Sequence, residues 1–182
     1  MARRQYDAYY SNPRMVDPLV SKFNVRGTVI EPCVGDGRLL QRLPPSGSRV
    51  ITNDINPNVS AVYHEDACRH DARVWSEPAD WVITNPPFSA ARDILDAAFA
   101  SQARNIAFLV RLSFLEPTRD RSGLLQAHQD QMIWLGTFGS PRPRFTQKGT
   151  DTVTTAWLVW STNWSWAASG LATPFDFLTG WL

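Results

Sequence analysis

The sequence predicts a three-layer α/β/α sandwich with a mostly parallel sheet that is closed by an antiparallel hairpin. Short apolar runs typical of buried strands alternate with segments of helical periodicity along most of the 182 residues. Two apolar runs near the C-terminal end have only a polar loop between them, which indicates a paired hairpin. The length suits one domain, and no internal repeat or low-complexity segment interrupts the pattern.

The first predicted helix ends near Phe23, and its apolar residues recur at helical spacing. Ser11 or Asn12 would cap this helix, with Pro13 at its first position. Capping explains the Ser-Asn-Pro sequence, but it does not explain the two tyrosines, Tyr9 and Tyr10, that precede it. The apolar face consists of Met15, Val16, Leu19, Val20 and Phe23.

A strand at 27–30 leads into the segment Glu31-Pro32-Cys33-Val34-Gly35-Asp36-Gly37, after which Leu39, Leu40 and Leu43 begin a predicted helix. Two glycines between a strand and a helix let the backbone approach a ligand closely. Leu40 stands where the dinucleotide fingerprint has its third glycine, so the pattern favours a smaller adenosine-containing ligand over NAD. A carboxylate at Glu31 would repel phosphate and would accept an ammonium group.

Two acids follow the next predicted strand, at 49–53. Asp54 lies about 17 residues after Gly37, where an acid commonly binds ribose hydroxyls. The alternative is a turn that Asp54 forms with Asn56 and Pro57. Asp66 could accept a hydrogen bond from an adenine amino group, although an exposed loop acid would look the same.

The chain is organised around Asn85-Pro86-Pro87-Phe88, between a predicted strand at 81–84 and a helix at 89–100. Ligands of open α/β sheets bind at such carboxyl ends of strands. Two prolines stiffen the loop, so that Asn85 and nearby carbonyls can accept from a planar amino group while Phe88 stacks on its ring. A simple Asn-Pro turn is the alternative.

The second half continues with strands at 105–112 and 132–136 around an exposed helix at 119–129. The loop at 139–151 carries Arg142, Arg144, Phe145 and Lys148, a composition found in nucleic-acid-contacting loops and also in solvated hairpins. A last strand at 152–160 would pair with the previous one. The tail at 161–182 is aromatic, without clear periodicity, and could cover the core or form a dimer contact.

Composition places the chain among soluble globular proteins, with 43% hydrophobic and 19% charged residues and a net charge of +1. No long apolar run or signal-peptide segment is present, so we expect a cytoplasmic protein without membrane contact. Cys33 and Cys68 have no metal-type spacing; we expect free thiols and no metal site.

Taken in order, these motifs resemble the class I S-adenosylmethionine-dependent methyltransferases, in particular those that methylate adenine N6 in DNA. The motifs that carry the resemblance are the segment at 31–37, Asp54, Asp66 and the loop at 85–88. The run from Arg142 to Trp160 is similar to small phage and prophage members. The resemblance implies a Rossmann-like fold for one domain at 1–182, with a cofactor-closing segment at 1–25.

The resemblance also implies roles for single residues. Glu31, Pro32, Cys33, Gly35 and Gly37 would hold the methionine part of S-adenosyl-L-methionine, and Tyr9, Tyr10, Ser11 and Asn12 would close over it. Asp54 would bind the ribose, Ile55 would lie against the adenine and Asp66 would bind its amino group. In the Asn85–Phe88 loop, Asn85 and Pro86 would bind the target amino group and Phe88 would stack on the target ring. The nucleic acid would be contacted by residues of the late loop: Arg142, Arg144, Phe145 and Lys148.

The chain departs from the sequence-specific members of this family in one respect. Those members carry a target-recognition domain, and we expect no separate recognition domain after the last strand. Specificity would then be low, or would come from the loop at 142–151, a dimer mate or a separate subunit. RNA therefore stays open as a substrate, as does a protein glutamine amide. A different class of function is a non-catalytic methyltransferase-like subunit that binds nucleic acid, although the intact Gly35, Gly37, Asp54 and Asn85 argue against it.

Overall fold

One seven-stranded sheet forms the centre of the molecule. The computed structural model describes residues 11–43, 48–139, 142–143, 153–163 and 174–178. The strands are β1 (Thr28–Glu31), β2 (Arg49–Thr52), β3 (Trp81–Thr84), β4 (Asn105–Arg111), β5 (Met132–Phe138), β6 (Thr155–Ser161) and β7 (Phe175–Leu178). The α-helices in these ranges are α1 (Asp17–Phe23), α2 (Ala91–Ala100) and α3 (Arg119–Ala127). Short 3₁₀ helices lie at Pro13–Val16, Leu39–Gln41, Arg73–Ser76, Leu112–Leu115 and Gln129–Gln131.

The strand order confirms the predicted fold class. Across the sheet the order is β2-β1-β3-β4-β6-β5-β7. The first four strands are parallel to one another, and β6 runs antiparallel to both β4 and β5. The predicted hairpin is therefore the β5–β6 pair, and β7 follows it at the edge of the sheet, parallel to β5.

Helices cover both faces of the sheet because successive strand side chains point to opposite sides. Val29 and Trp81, which are in register on β1 and β3, pack with Leu19 and Phe23 of α1 on one face. On the other face, the next pair along these strands, Ile30 and Val82, packs in one cluster with Ile94 and Leu95 of α2 and Leu124 of α3. Three tryptophans, Trp134, Trp157 and Trp160, are among the largest fully buried side chains.

The N-terminal helical segment begins as predicted. The Asn12 side chain accepts a hydrogen bond from the backbone N–H of Arg14 at 3.0 Å, and Pro13 occupies the first helical position. A 3₁₀ turn then continues into α1. Met15, Val16 and Leu19 are fully buried, which confirms the predicted apolar face.

Two sequence predictions about the elements are wrong. The helix expected from Leu39 onward is a single 3₁₀ turn that ends at Gln41. Pro44 and Pro45 follow in the sequence, and prolines there cannot continue a helix. The strand expected at 152–160 is not the last one, because β7 follows in the tail and pairs in parallel with β5. The four residues of β7 alternate too weakly between apolar and polar side chains to predict a strand.

The strand order creates a crevice at the site of interest. β1 has β2 on one side and β3 on the other, so the chain leaves the carboxyl ends of β1 and β3 in opposite directions. Ligands of such sheets bind in the crevice outside these strand ends. In the described ranges, no helix is long and apolar enough to cross a membrane.

Candidate active site

A cleft of about 550 Å³ opens outside the carboxyl ends of the parallel strands. We call it the acidic cleft, because four carboxylates and one arginine line it: Asp36, Asp54, Glu65, Asp66 and Arg38. Its walls come from the loops that follow β1, β2 and β3, together with the start of α2. A cavity with this charge suits a ligand that carries positive charge.

The acidic cleft brings together eight of the residues predicted to bind the cofactor or the target amino group. They are Ser11, Pro32, Cys33, Gly35, Asp54, Ile55, Asp66 and Asn85. Asn12, Glu31 and Gly37 do not belong to the lining, and Tyr9 and Tyr10 lie outside the described residues. Ile55 is 51% exposed, which is unusual for a large apolar side chain and fits a surface that meets a ligand ring.

The glycine turn after β1 has the geometry that the sequence motif predicts. Gly35 and Gly37 have φ values of 58° and 73°, in the left-handed region that side chains disfavour. A Cβ placed on Gly35 would meet no atom within 4 Å, so it would project into open space at the cleft. The Gly37 N–H donates to Val34 O at 3.0 Å, which closes the turn.

Asp54 is both a turn residue and a cleft residue. One carboxylate oxygen accepts from the Gly35 N–H and the other from the Asn56 N–H, each at 2.8 Å. The residue is only 8% exposed, yet it lines the acidic cleft. Each oxygen keeps a lone pair for a further donor, so the turn and the predicted ribose contact are compatible.

Asn53, which the sequence analysis did not single out, joins the loops of the acidic cleft. Its Nδ2 donates to Pro32 O at 2.9 Å and to Glu65 O at 3.0 Å, and its Oδ1 accepts from the Glu65 N–H at 3.0 Å. The side chain is completely buried. The hydrogen-bond demand of its amide is what places the loop after β1 beside the segment that carries Asp66.

Glu31 lies at the end of β1 with 1% exposure. Its Oε1 accepts from the Cys33 N–H at 3.1 Å, whereas Oε2 is buried and has no hydrogen-bond partner in the described structure. Burial is the main cause that raises the Glu31 pKa to about 8; the nearby Thr84 hydroxyl and the Cys33 N–H lower it, and Asp54 adds to the rise. The Thr84 hydroxyl lies near the carboxyl but outside hydrogen-bonding geometry. A neutral carboxyl at pH 7 would ionise readily for a cationic ligand.

Both cysteines are free thiols that line the acidic cleft. Burial raises the pKa of Cys68 to about 12 and that of Cys33 well above its ordinary value. The thiolate is the nucleophilic form, so neither side chain has the character of a reactive cysteine.

The Asn85–Phe88 loop connects the acidic cleft to a second one. Asn85 and Pro87 line the acidic cleft, whereas Phe88 lines a neighbouring cleft of about 770 Å³. The Pro87 carbonyl accepts from the Ala90 N–H at 2.9 Å, which leads the loop directly into α2. Four consecutive residues therefore span the wall between two cavities.

The second cleft has the opposite charge balance, and we call it the arginine cleft. Arg92, Arg111 and Arg121 line it against two acids, Asp93 and Asp120. It lies between the start of α2, the end of β4 and α3. The Arg111 guanidinium lies 4.4 Å from the centre of the Phe88 ring.

The predicted substrate residues are only partly placed at these clefts. Phe88 lines the arginine cleft, and exposed Arg142 lines neither cleft. Arg144, Phe145 and Lys148 lie outside the described residues. Arg111 was not predicted as a site residue, although a charged residue at the end of an apolar strand, where ligands of such sheets bind, was a usable signal.

Comparison with known proteins supports the fold through structure. No protein-family model matches the chain, and no curated protein matches it by sequence. The type I restriction enzyme EcoKI M protein superposes with a TM-score of 0.65 at 11% identity, over 93% of this chain and 47% of that chain.

Two further solved structures share the fold. A dimethyladenosine transferase from Plasmodium falciparum has a TM-score of 0.59 at 16% identity, over 85% of this chain and 63% of its own. A Listeria monocytogenes protein assigned to the class I S-adenosylmethionine-dependent methyltransferases has a TM-score of 0.63 at 10% identity. The superposition covers 95% of this chain and 66% of that chain. The chain spans about half to two thirds of the length of these structures. Its fold is that of the class I methyltransferases.

Proposed function

We propose that the chain transfers a methyl group from S-adenosyl-L-methionine to the exocyclic N6 amino group of adenine in DNA. The observation that carries the proposal is the position of the Asn85–Phe88 loop between two clefts of opposite charge. Methyl transfer from this cationic cofactor to DNA requires the cofactor and an anionic polymer to meet at one point. The first residue of the loop faces the acidic cleft and its last residue faces the arginine cleft.

The residues of the acidic cleft fit the cofactor. Glu31 lies behind the lining of this cleft, at the end of β1, and its buried Oε2, without a partner in the described structure, suits an ammonium group. The open space at Gly35, which does line the cleft, admits a ligand against the backbone. Asp54 and Asp66 provide acceptors for the ribose hydroxyls and the adenine amino group, and Ile55 provides an apolar face. When bound, S-adenosyl-L-methionine supplies an electrophilic methyl group on a sulfonium.

Asn85 and the Pro86 carbonyl would act on the target nitrogen. The lone pair of an aromatic amino group is delocalised into its ring, which makes it a weak nucleophile. Hydrogen bonds from both of its N–H groups to fixed acceptors favour a more tetrahedral nitrogen whose lone pair is available for attack. The contribution of these residues is then positioning and electrostatic stabilisation.

The target base has to leave a helix to reach this loop. A paired base is inaccessible, so the adenine is flipped out or is single-stranded at the start. Stacking on an aromatic ring such as Phe88 offsets about 1–3 kcal/mol of the unstacking cost. In the described structure Arg111 already lies over that ring, so an incoming base would share Phe88 with Arg111 or stack on the guanidinium.

The choice of DNA rests on the resemblance of the motifs and on the likeness to the type I restriction enzyme M protein. RNA is the alternative polymer, because the motifs are less specific for DNA than for the methyltransferase superfamily. We further propose that sequence recognition comes from the loop that carries Arg142, from a second copy or from another subunit. A non-catalytic scaffold would need neither the acidic cleft nor the Asn85 amide.

The proposal is tested with tritiated S-adenosyl-L-methionine and four separate substrates: duplex DNA, single-stranded DNA, ribosomal RNA and total protein. The labelled polymer is digested and the modified nucleoside identified. We expect N6-methyladenine in DNA. Label in RNA would change the substrate and keep the chemistry. A chain that does not bind the cofactor by calorimetry would contradict the proposal and leave the scaffold alternative.

A further inference from the structure

We propose that the arginine cleft binds the single-stranded segment that flanks the target nucleotide, with Arg111 and Arg121 as its main contacts. This inference rests on the proposed function and states where the polymer substrate lies. The cleft begins at Phe88, the last residue of the loop that would hold the target base. Nucleotides joined to that base must leave the loop on this side, because the other side is the acidic cleft.

The positive charge of the arginine cleft favours a polyanion most clearly at Arg121. Arg92 is neutralised within its own helix, since its Nη1 donates to Asp93 at 2.9 Å and to Asp96 at 3.1 Å. Arg121 differs, because it donates to two neutral oxygens: Thr118 Oγ1 at 3.1 Å and Ser113 O at 2.9 Å. In the described structure no carboxylate forms an ion pair with Arg121.

The two arginines are also held against aromatic rings. The Arg111 guanidinium lies 4.4 Å from the centre of Phe88, and that of Arg121 lies 5.4 Å from the centre of Phe114. Packing on a ring limits the rotamers of a long side chain while its N–H groups can still reach a phosphate. Two such pairs line one cleft, and cations combined with aromatic rings are characteristic of single-strand binding grooves.

The acids of the cleft do not cancel this arrangement. Asp93 is engaged by Arg92, and Asp120 is an exposed residue in the first turn of α3. In the acidic cleft Asp36 pairs with Arg38 and Glu65 with Arg73, whereas Asp54 and Asp66 form no ion pair in the described structure. The remaining negative charge would disfavour a nucleic-acid strand there and favour the arginine cleft. The geometry therefore separates the two ligands by charge.

The test measures binding of a fluorescein-labelled single strand of about 12 nucleotides, within the usual range of single-strand sites. Fluorescence anisotropy is recorded over a series of salt concentrations, without cofactor. Arg111→Gln and Arg121→Gln each remove one proposed contact. Arg119→Gln is the matched control, because Arg119 is an exposed arginine on the same helix that does not line the cleft.

We expect Arg111→Gln and Arg121→Gln each to weaken binding about tenfold, as for loss of a charged hydrogen bond. Each should also reduce the slope of log affinity against log salt by about 0.7, the value for one phosphate on a single strand. Arg119→Gln should leave both quantities near wild type. Arg121→Lys keeps the charge, so it should preserve the slope even if Arg121 also supports the fold through Ser113.

Equal effects of Arg119→Gln and Arg121→Gln, or no effect of either, would overturn the inference. Tighter binding of a duplex of equal length, with the same dependence on Arg121, would overturn the single-stranded part. The assay needs no methyl transfer, so the two proposals fail separately. A chain that methylates DNA while the arginine variants bind normally refutes only the inference, and one that binds here without methylating refutes only the function.

Discussion

Asn85 Nδ2 donates a hydrogen bond to Ser11 Oγ at 2.8 Å, across 74 residues of sequence. Ser11 lies just before the first helical turn and is 4% exposed, so its hydroxyl is held in place by the fold. With Nδ2 bonded to Ser11, the amide of Asn85 has one defined orientation. Ser11 was expected to close over the cofactor, and its contact gives it a second role as a positioning residue for Asn85.

Ser11→Ala is therefore expected to slow methyl transfer about tenfold, the scale of a small misplacement of a reacting group. The change should appear in kcat, because the variant leaves the acidic cleft otherwise intact. Ser11→Thr keeps the hydroxyl and should retain most of the rate. A rise in the cofactor KM with kcat unchanged would assign Ser11 to cofactor binding alone.

The raised pKa of Glu31 predicts a pH dependence of stability. The pKa is about 8 in the folded protein against 4.5 ordinarily, so between these values the folded protein binds more protons than the unfolded chain. The free energy of unfolding should then decrease as the pH rises through this window. Urea unfolding at several pH values from 5 to 9 measures this free energy, with the Glu31→Gln variant as the comparison.

Glu31→Gln should lessen this decrease, because the glutamine amide stays neutral throughout. The same ionisation links cofactor binding to pH. If the ammonium group binds ionised Glu31, binding at pH 7 releases a proton, and calorimetry in buffers of different ionisation enthalpy detects it. Identical pH profiles for wild type and Glu31→Gln would contradict the assignment.

Gly35 and Gly123 offer opposite outcomes for the same substitution. Gly35→Ala places a side chain at a φ of 58°, which costs about 1–2 kcal/mol. Its Cβ would also enter the acidic cleft, so we expect weaker cofactor binding. Gly123 lies within α3, where a Cβ would meet no atom within 4 Å, and Gly123→Ala should stabilise the protein by about 0.4–1 kcal/mol.

Thermal unfolding and cofactor titration of the two glycine variants provide the comparison. Gly123→Ala should bind the cofactor as wild type does. If Gly35→Ala were as stable as wild type and bound the cofactor equally well, the turn after β1 would not contact the ligand.

Local sequence patterns were sufficient to predict features that depend on neighbouring residues in the chain. The positive φ of Gly35 and the end of β3 at Thr84, just before Asn85, follow from short motifs. The fold class followed from the alternation of strands and helices, because that pattern leaves few ways to bury the apolar faces.

The contacts that complete the site were not predictable in this way. The bond between Ser11 and Asn85 and the three bonds of Asn53 join segments that only the folded sheet brings together. Arg121 meets Phe114 because α3 packs against the 3₁₀ turn Leu112–Leu115 that follows β4, and the apolar pattern of α3 itself is weak. The strand β7 depends on backbone pairing with β5, which its four residues do not encode.

The role of Asn85 is tested by comparing wild type with Asn85→Ala in two measurements on the same preparations. Cofactor binding is determined by calorimetry, and N6-methyladenine in DNA by nucleoside analysis after incubation with S-adenosyl-L-methionine. Both proteins should bind the cofactor with similar affinity, and only the wild type should produce N6-methyladenine. Methylation by Asn85→Ala at the wild-type rate would contradict the central role of the Asn85–Phe88 loop.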